Sequence, residues 1–77
     1  MELTKLFVLE RSTILRLDQN AKTEKISLDI EQISSIEEVE VVDFNGEATA
    51  ATRLQVHGKF HPVYVKEPLK EVLQKLF

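Results

Sequence analysis

Hydrophobic and polar residues alternate along most of this chain, and the alternation predicts β-strands. The clearest case is the stretch 25–30, in which leucine or isoleucine at every even position alternates with a polar residue. A two-residue period of this kind is typical of a strand with one buried face. Less regular patterns predict further strands over residues 3–10, 13–17, 39–44, 54–56 and 63–65.

The stretch between the third and fourth predicted strands departs from this period. Ile30, Ile33 and Ile36 fall three residues apart, a spacing that suits a single helical or 3₁₀ turn crossing an edge of the sheet. Farther along, the apolar face changes near Val41–Val42, and we expect a β-bulge there.

A tight turn is predicted at Asn45–Gly46, because a type I′ hairpin turn needs positive φ at both central residues. The next stretch, residues 47–52, carries mostly small side chains. Two interpretations fit it: a loose loop, or a thin edge strand whose backbone could pair with a second copy of the chain.

The last stretch of the sequence has a helical period. Leu69, Val72, Leu73 and Leu76 stand at i, i+3, i+4 and i+7 behind Pro68, a residue favoured in the first turn of a helix. A helix this short is not stable alone in water, so it must dock on the sheet or on a partner. The predicted fold class is α+β: a small antiparallel β-meander of five or six strands, with one C-terminal amphipathic helix packed on the sheet.

Length and composition restrict the domain organisation, the stabilising cross-links and the location that the chain can have. With 77 residues the chain is predicted to form a single domain over residues 1–77, with a net stability of roughly a few kcal/mol. The absence of cysteine excludes disulfides and thiolate metal sites and favours the cytoplasm. The first residues lack the apolar stretch of a signal peptide, and no apolar run is long enough to span a bilayer.

Charge and motifs exclude several classes of function. Thirteen acidic residues against ten scattered basic ones give a net charge of −3, and the dense basic stripe that binds a phosphate backbone is missing, which disfavours nucleic acid. The two glycines are too few for a phosphate cradle, and the sequence has no HExxH or GxSxG motif. We therefore predict a protein that is not an enzyme and has no catalytic residues, metal or cofactor.

One cluster that could carry chemistry surrounds the turn before the last predicted strand. His57 and His61 flank Lys59, and Lys66 follows the strand. On a helix the histidine spacing would aim both rings at one metal, but Gly58 favours a turn, in which the rings need not converge. We interpret these side chains chiefly as polar groups on an exposed turn. The alternative is a site for a polar ligand, or a pH-sensitive contact, since imidazole titrates near neutrality.

A second cluster is acidic and comprises Glu37, Glu38 and Glu40. Glu38 and Glu40 share the solvent face of a predicted strand, where they either prevent edge-to-edge pairing or form a docking patch for a basic partner. Phe77 is the aromatic residue with no chain after it. It either caps the core or completes an apolar patch that binds another subunit.

Three stretches of the sequence resemble segments of a known family. They are Met1–Leu6, Leu28–Glu37, and a closing pattern made of Gly58-Lys59, Val63–Glu67 and Val72. In the order of these elements the chain resembles the small flagellar and swarming-motility proteins of the FlbD/SwrD type. The closing pattern is also similar to that of LytTR-like DNA-binding domains, and the composition equally fits a small phage-encoded inhibitor of a host protein.

The leading functional hypothesis is a non-catalytic protein-interaction module that binds or inhibits a partner protein. Its candidate contact residues are Glu37, Glu38, Glu40 and Phe77. The alternative is nucleic-acid or nucleotide binding through the turn at residues 57–66, with His57, Lys59, His61 and Lys66. A homodimer is predicted as well, because the small core has neither a disulfide nor a structural metal site to stabilise it.

Overall fold

The computed structural model describes residues 1–11, 14–18 and 22–76. This part of the chain forms seven β-strands, one 3₁₀ turn and one α-helix. In chain order they are β1 (Glu2–Leu6), β2 (Val8–Arg11), β3 (Ile14–Leu17), β4 (Glu24–Ser27), the 3₁₀ turn (Ile30–Gln32), β5 (Ile33–Val42), β6 (Ala48–Val56), β7 (Val63–Val65) and α1 (Leu69–Leu76). The strands make one sheet in the order β2-β3-β5-β6-β7-β1-β4.

The α+β fold class with its C-terminal helix is confirmed, but the sheet has more strands and a less simple strand order than the predicted meander of five or six strands. The predicted first strand is divided at Phe7, and its two halves pair with different neighbours. β3 runs parallel to β5, paired through Arg16 and Val42, whereas the other pairings are antiparallel. The sheet is therefore mixed.

The sheet curls back on itself. β1 and β2 are joined by Phe7 alone, yet they are sixth and first in the strand order. Because neighbouring Cα atoms lie only about 3.8 Å apart, the two ends of the sheet must come close together. The Tyr64 hydroxyl of β7 accordingly donates a hydrogen bond to the Glu10 carboxylate of β2. We call the side of the sheet that carries Tyr64 the concave face.

The main core lies on the opposite side, which we call the helix face. Leu54 and Val63 stand directly across from each other on β6 and β7, and both are buried there against Val72 of α1. The buried members of this cluster are Leu3, Leu28, Leu54, Val56, Val63, Val65 and Val72. The helix thus docks on the sheet of its own chain, which supplies the packing that so short a helix needs.

The concave face holds a second, smaller apolar layer. Val41 and Ala51 are 1% and 2% exposed and lie on the same face as Tyr64, which is 6% exposed. The curled strands β2 and β3 approach this side of the sheet, as the Tyr64–Glu10 contact shows. Neither Ala51 nor Tyr64 belongs to a strongly apolar run, so the sequence pattern alone does not predict that they are buried.

The three isoleucines spaced three residues apart belong to two different elements. Ile30 begins the predicted 3₁₀ turn, which ends at Gln32, whereas Ile33 and Ile36 already belong to β5. The register of β5 against β6 shifts between Ile33 and Ser35, so Ser34 is an extra residue that lets both isoleucines face the core. The bulge predicted at Val41–Val42 is wrong, since the pairing there is regular.

The stretch of small residues before Leu54 is not a loose loop. It belongs to β6, which pairs with β5 from Ala48 to Val56, whereas β7 pairs only with residues 52–54. Among the described residues, residues 48–51 therefore have a strand partner on one side only. Thr52 is completely buried, and its hydroxyl donates a hydrogen bond of 2.7 Å to the backbone carbonyl of Glu67. Small side chains suit this position because the chain leading into α1 passes close above the sheet.

Three large apolar residues that lie in or next to predicted elements are substantially exposed. Ile30 is 44% exposed on the 3₁₀ turn, and Phe44 is 59% exposed in the β5–β6 hairpin. Leu73 is 38% exposed, although it lies on the apolar side of α1. A sequence period identifies the apolar side of an element, but it does not say how far the neighbouring element covers that side.

Glu67 ties the start of α1 to β1. Its carboxylate accepts a hydrogen bond of 2.8 Å from the backbone N–H of Thr4. Burial opposes ionisation, but bonds from the Thr4 backbone and from its own backbone outweigh burial, aided by the charge of Lys75, and lower the pKa of Glu67.

We expect this carboxylate to make stability depend on acid pH. With its pKa lowered by folding, Glu67 stabilises the native state fully above its unfolded pKa, and the contribution is lost as pH falls through the folded pKa. Urea unfolding of wild type and Glu67→Gln at pH about 7 should differ by up to about 1 kcal/mol, since the group is partly exposed. At acid pH the two proteins should converge. An equal difference at both pH values would contradict this role.

Candidate functional site

In the part of the chain that the structure describes, a long stretch of β5 has a partner strand on one side only. On its other side β5 pairs with β6 from Ile33 to Val42. Among the described residues, the pairing partner on the open side is Arg16 of β3, which reaches only Val42. Residues 33–41 therefore present an open strand edge, which is a site where another extended chain can add by hydrogen bonding.

The backbone groups on this edge can be assigned from the hairpin. The N–H of Asp43 donates to the carbonyl of Glu47 at 2.9 Å, across the β5–β6 turn. Because such groups alternate along an antiparallel pair, the N–H groups of every second residue back from Asp43 face β6. The N–H and C=O groups of Ile36, Glu38 and Glu40 consequently point away from β6, toward the open side.

An apolar groove lies between this edge strand and the helix. Near the start of α1 it is bordered by Glu38, Leu69 and Leu73 and has a volume of about 600 Å³. Near the end of α1 a depression of about 440 Å³ is bordered by Leu76 and by the isoleucines that precede Glu38. The two depressions follow each other along α1 and β5 in opposite chain directions, since Glu38 borders the one near the start of α1 and Ile36 borders the one near its end. We call them together the α1–β5 groove.

The side chains of this groove have a polarity gradient. At one end Ile33 and Ile36 are half-buried beside Leu76 of the helix. At the other end Glu38 and Glu40 are exposed and share the helix face of β5, opposite Thr52 and Ala50 of β6. The groove therefore combines an apolar floor, two carboxylates and a row of backbone groups.

The predicted acidic cluster is divided by the sheet. Glu37 lies on the concave face, where its carboxylate accepts a hydrogen bond and makes an ion pair with Arg53. Only Glu38 and Glu40 remain as an acidic pair beside the groove. Phe77, the fourth candidate contact residue, lies outside the described residues.

A chain of polar contacts crosses the concave face from Glu37. Arg53, Tyr64 and Glu10 continue it, and hydrogen bonding to Glu37 raises the pKa of Arg53. Burial is the first cause that raises the pKa of Tyr64, followed by its bond to Glu10. These groups satisfy one another and join β2, β5, β6 and β7, so we interpret them as structural.

The polar turn is also divided. His57, Lys59 and His61 are exposed in the β6–β7 connection, together with Phe60, which is 98% exposed. Lys66 follows β7 at its other end, about 16 Å along an extended chain from His61, and borders a different depression near Leu6 and Asp43. The four candidates for a polar-ligand site therefore do not form one site.

The described residues offer few other groups that could bind a metal or carry out chemistry. Among them, no three His, Cys, Asp or Glu side chains lie close enough together to hold a metal ion. No helix in this part of the chain is both long and apolar enough to cross a membrane.

The sequence indicated parts of the groove without revealing the groove itself. The helical period placed Leu69, Leu73 and Leu76 on one side of α1, and the acidic pair was recognised. The open edge could not be foreseen, because β5 was expected to have its neighbours in chain order. No protein-family model, no curated protein and no solved structure matches this chain.

Proposed function

We propose that this protein is a non-catalytic interaction module that binds or inhibits a partner protein through the α1–β5 groove. The observation that carries the proposal is the coincidence of an open strand edge with an apolar groove along the same strand. Either feature alone is common on small domains. Together they offer a polypeptide both backbone hydrogen bonds and apolar contacts, which is how several peptide-binding domains work.

The proposal includes a cytoplasmic location, because the chain has no cysteine to pair in an oxidising compartment. It does not depend on the resemblance to FlbD/SwrD-type proteins. That resemblance stays a prediction, and so does origin as a phage inhibitor.

The experiment is a selection of random peptides displayed on phage, with the folded protein as bait. Two variants accompany the wild type. Leu73→Lys places a charge in the groove, and Leu9→Lys places one at a similarly exposed leucine, 40% exposed, on β2. Circular dichroism and urea unfolding verify that both variants are folded before the selection.

We expect peptides to be enriched by the wild type and by Leu9→Lys, and enrichment to fall to background with Leu73→Lys. A charge buried under a bound peptide loses its hydration, which weakens binding. If the wild type enriches no peptide, or if Leu73→Lys enriches the same peptides, the α1–β5 groove is not a protein-binding site.

A further inference from the structure

We infer that the α1–β5 groove binds an extended peptide that adds to β5 as an antiparallel strand, with basic residues opposite Glu38 and Glu40 and an apolar residue opposite Ile36. This inference rests on the proposed function and specifies the chemistry of the partner. It follows from three properties of the groove: the direction of its backbone groups, the spacing of its side chains and its charge.

The backbone groups select an extended occupant. Ile36, Glu38 and Glu40 present N–H and C=O groups at every second residue along the edge, and only another strand matches that repeat. A docked helix has its own backbone groups paired internally and would leave those of β5 unpaired. The antiparallel direction is chosen because antiparallel pairing is the more stable per residue.

The side chains of β5 set the pattern of the occupant. Residues directly across from each other in neighbouring strands have Cβ atoms about 5 Å apart and share a face. Residues of the peptide opposite Glu40, Glu38 and Ile36 therefore face the same side as α1. Lysine or arginine suits the first two positions, and valine or isoleucine suits the third, which lies beside the depression bordered by Ile36 and Leu76.

Charge argues against a second copy of this chain as the occupant. If two β5 edges pair antiparallel about a two-fold axis, Glu38 or Glu40 of one copy faces or neighbours a glutamate of the other. Like charges across a strand pair are destabilising. A basic peptide replaces this repulsion with attraction, and the −3 charge of the whole chain favours its approach.

The test uses the capped synthetic peptide Lys-Thr-Lys-Thr-Val-Thr-Val with a fluorescent label, and fluorescence anisotropy measures its dissociation constant. In the proposed register the backbone N–H groups of the two lysines and the first valine point at β5, and those of the intervening threonines point to solvent. N-methylation of the second lysine and the first valine should raise the dissociation constant by about tenfold or more. N-methylation of the first and second threonines should change the dissociation constant little, and the peptide methylated there is the matched control.

The role of charge is tested by exchanging acidic and basic residues, first in the peptide and then in the protein. Glutamate in place of the two lysines should weaken binding by about tenfold. The protein variant with Glu38→Lys and Glu40→Lys should prefer the glutamate peptide instead. Equal binding of both peptides by the wild type would overturn the assignment of a basic partner.

Hydrogen exchange locates the bound peptide. In the free protein, the amides of Glu38 and Glu40 should exchange faster than those of Val39 and Val41, which face β6. Bound peptide should slow exchange at Glu38 and Glu40 specifically. Slowed exchange elsewhere, or equal effects of the two N-methylated peptides, would exclude strand addition.

The inference and the proposed function fail in different ways. If phage selection enriches peptides that need Leu73 but lack an alternating basic and apolar pattern, the groove binds proteins and the strand-addition inference is wrong. If selection enriches nothing and the synthetic peptide does not bind, both are wrong.

Discussion

Leu54→Ala should unfold a large fraction of the protein at physiological temperature. Leu54 is completely buried at the centre of the helix-face core, between the sheet and Val72. Truncating a fully buried leucine typically costs about 2–5 kcal/mol, because the cavity closes only in part. In a domain of this size that is comparable with the whole net stability. Thermal unfolding followed by circular dichroism should show the midpoint lowered by about 15 °C.

Leu9→Ala is the matched control, since it removes the same atoms from a leucine that is 40% exposed on β2. We expect a loss of less than about 1 kcal/mol there, because little apolar surface leaves the interior. If the two variants unfolded at the same temperature, the helix face would not be the main core.

The elements that the sequence predicted well are those with an unbroken period. The alternation around Ile26 and the helical spacing from Leu69 to Leu76 both correspond to observed elements, β4 and α1. The residues 47–52 were ambiguous because alanine and threonine contribute little to a hydrophobic pattern. Their place within the sheet is set by pairing of residues 48–52 with β5 and of Thr52 with β7 as well, which is a property of the whole fold.

The order of the strands could not be predicted from local pattern. It depends on the bend at Phe7, which sends β1 and β2 to different positions in the sheet. The same bend explains why β3 meets only the end of β5 and leaves Glu38 on an open edge. The candidate site is therefore a consequence of topology, and the sequence supplied its charges and its apolar residues without their arrangement.

The homodimer predicted from the sequence has several strand edges through which it could form, and dimerisation itself stays a prediction. Among the described residues, the predicted edge at 48–52 pairs with β5 on one side, whereas β7 on the other side reaches only Thr52 of this stretch, so residues 48–51 keep an open edge. In the same part of the chain, the terminal strands β2 and β4 and residues 33–41 of β5 are also open on one side. Glu38 and Glu40 stand on the β5 edge, where carboxylates oppose the pairing of identical strands.

We therefore expect the double variant Glu38→Gln, Glu40→Gln to self-associate about tenfold more tightly than the wild type, because repulsion between like charges across the new strand pair is removed. Sedimentation equilibrium over a range of protein concentrations measures the monomer–dimer equilibrium directly. The control is Glu47→Gln, Glu71→Gln, which changes the net charge equally at two exposed residues off the open edge. If the control associated as tightly, net charge rather than edge charge would govern association. If neither variant differed from the wild type, Glu38 and Glu40 would have no protective role on β5.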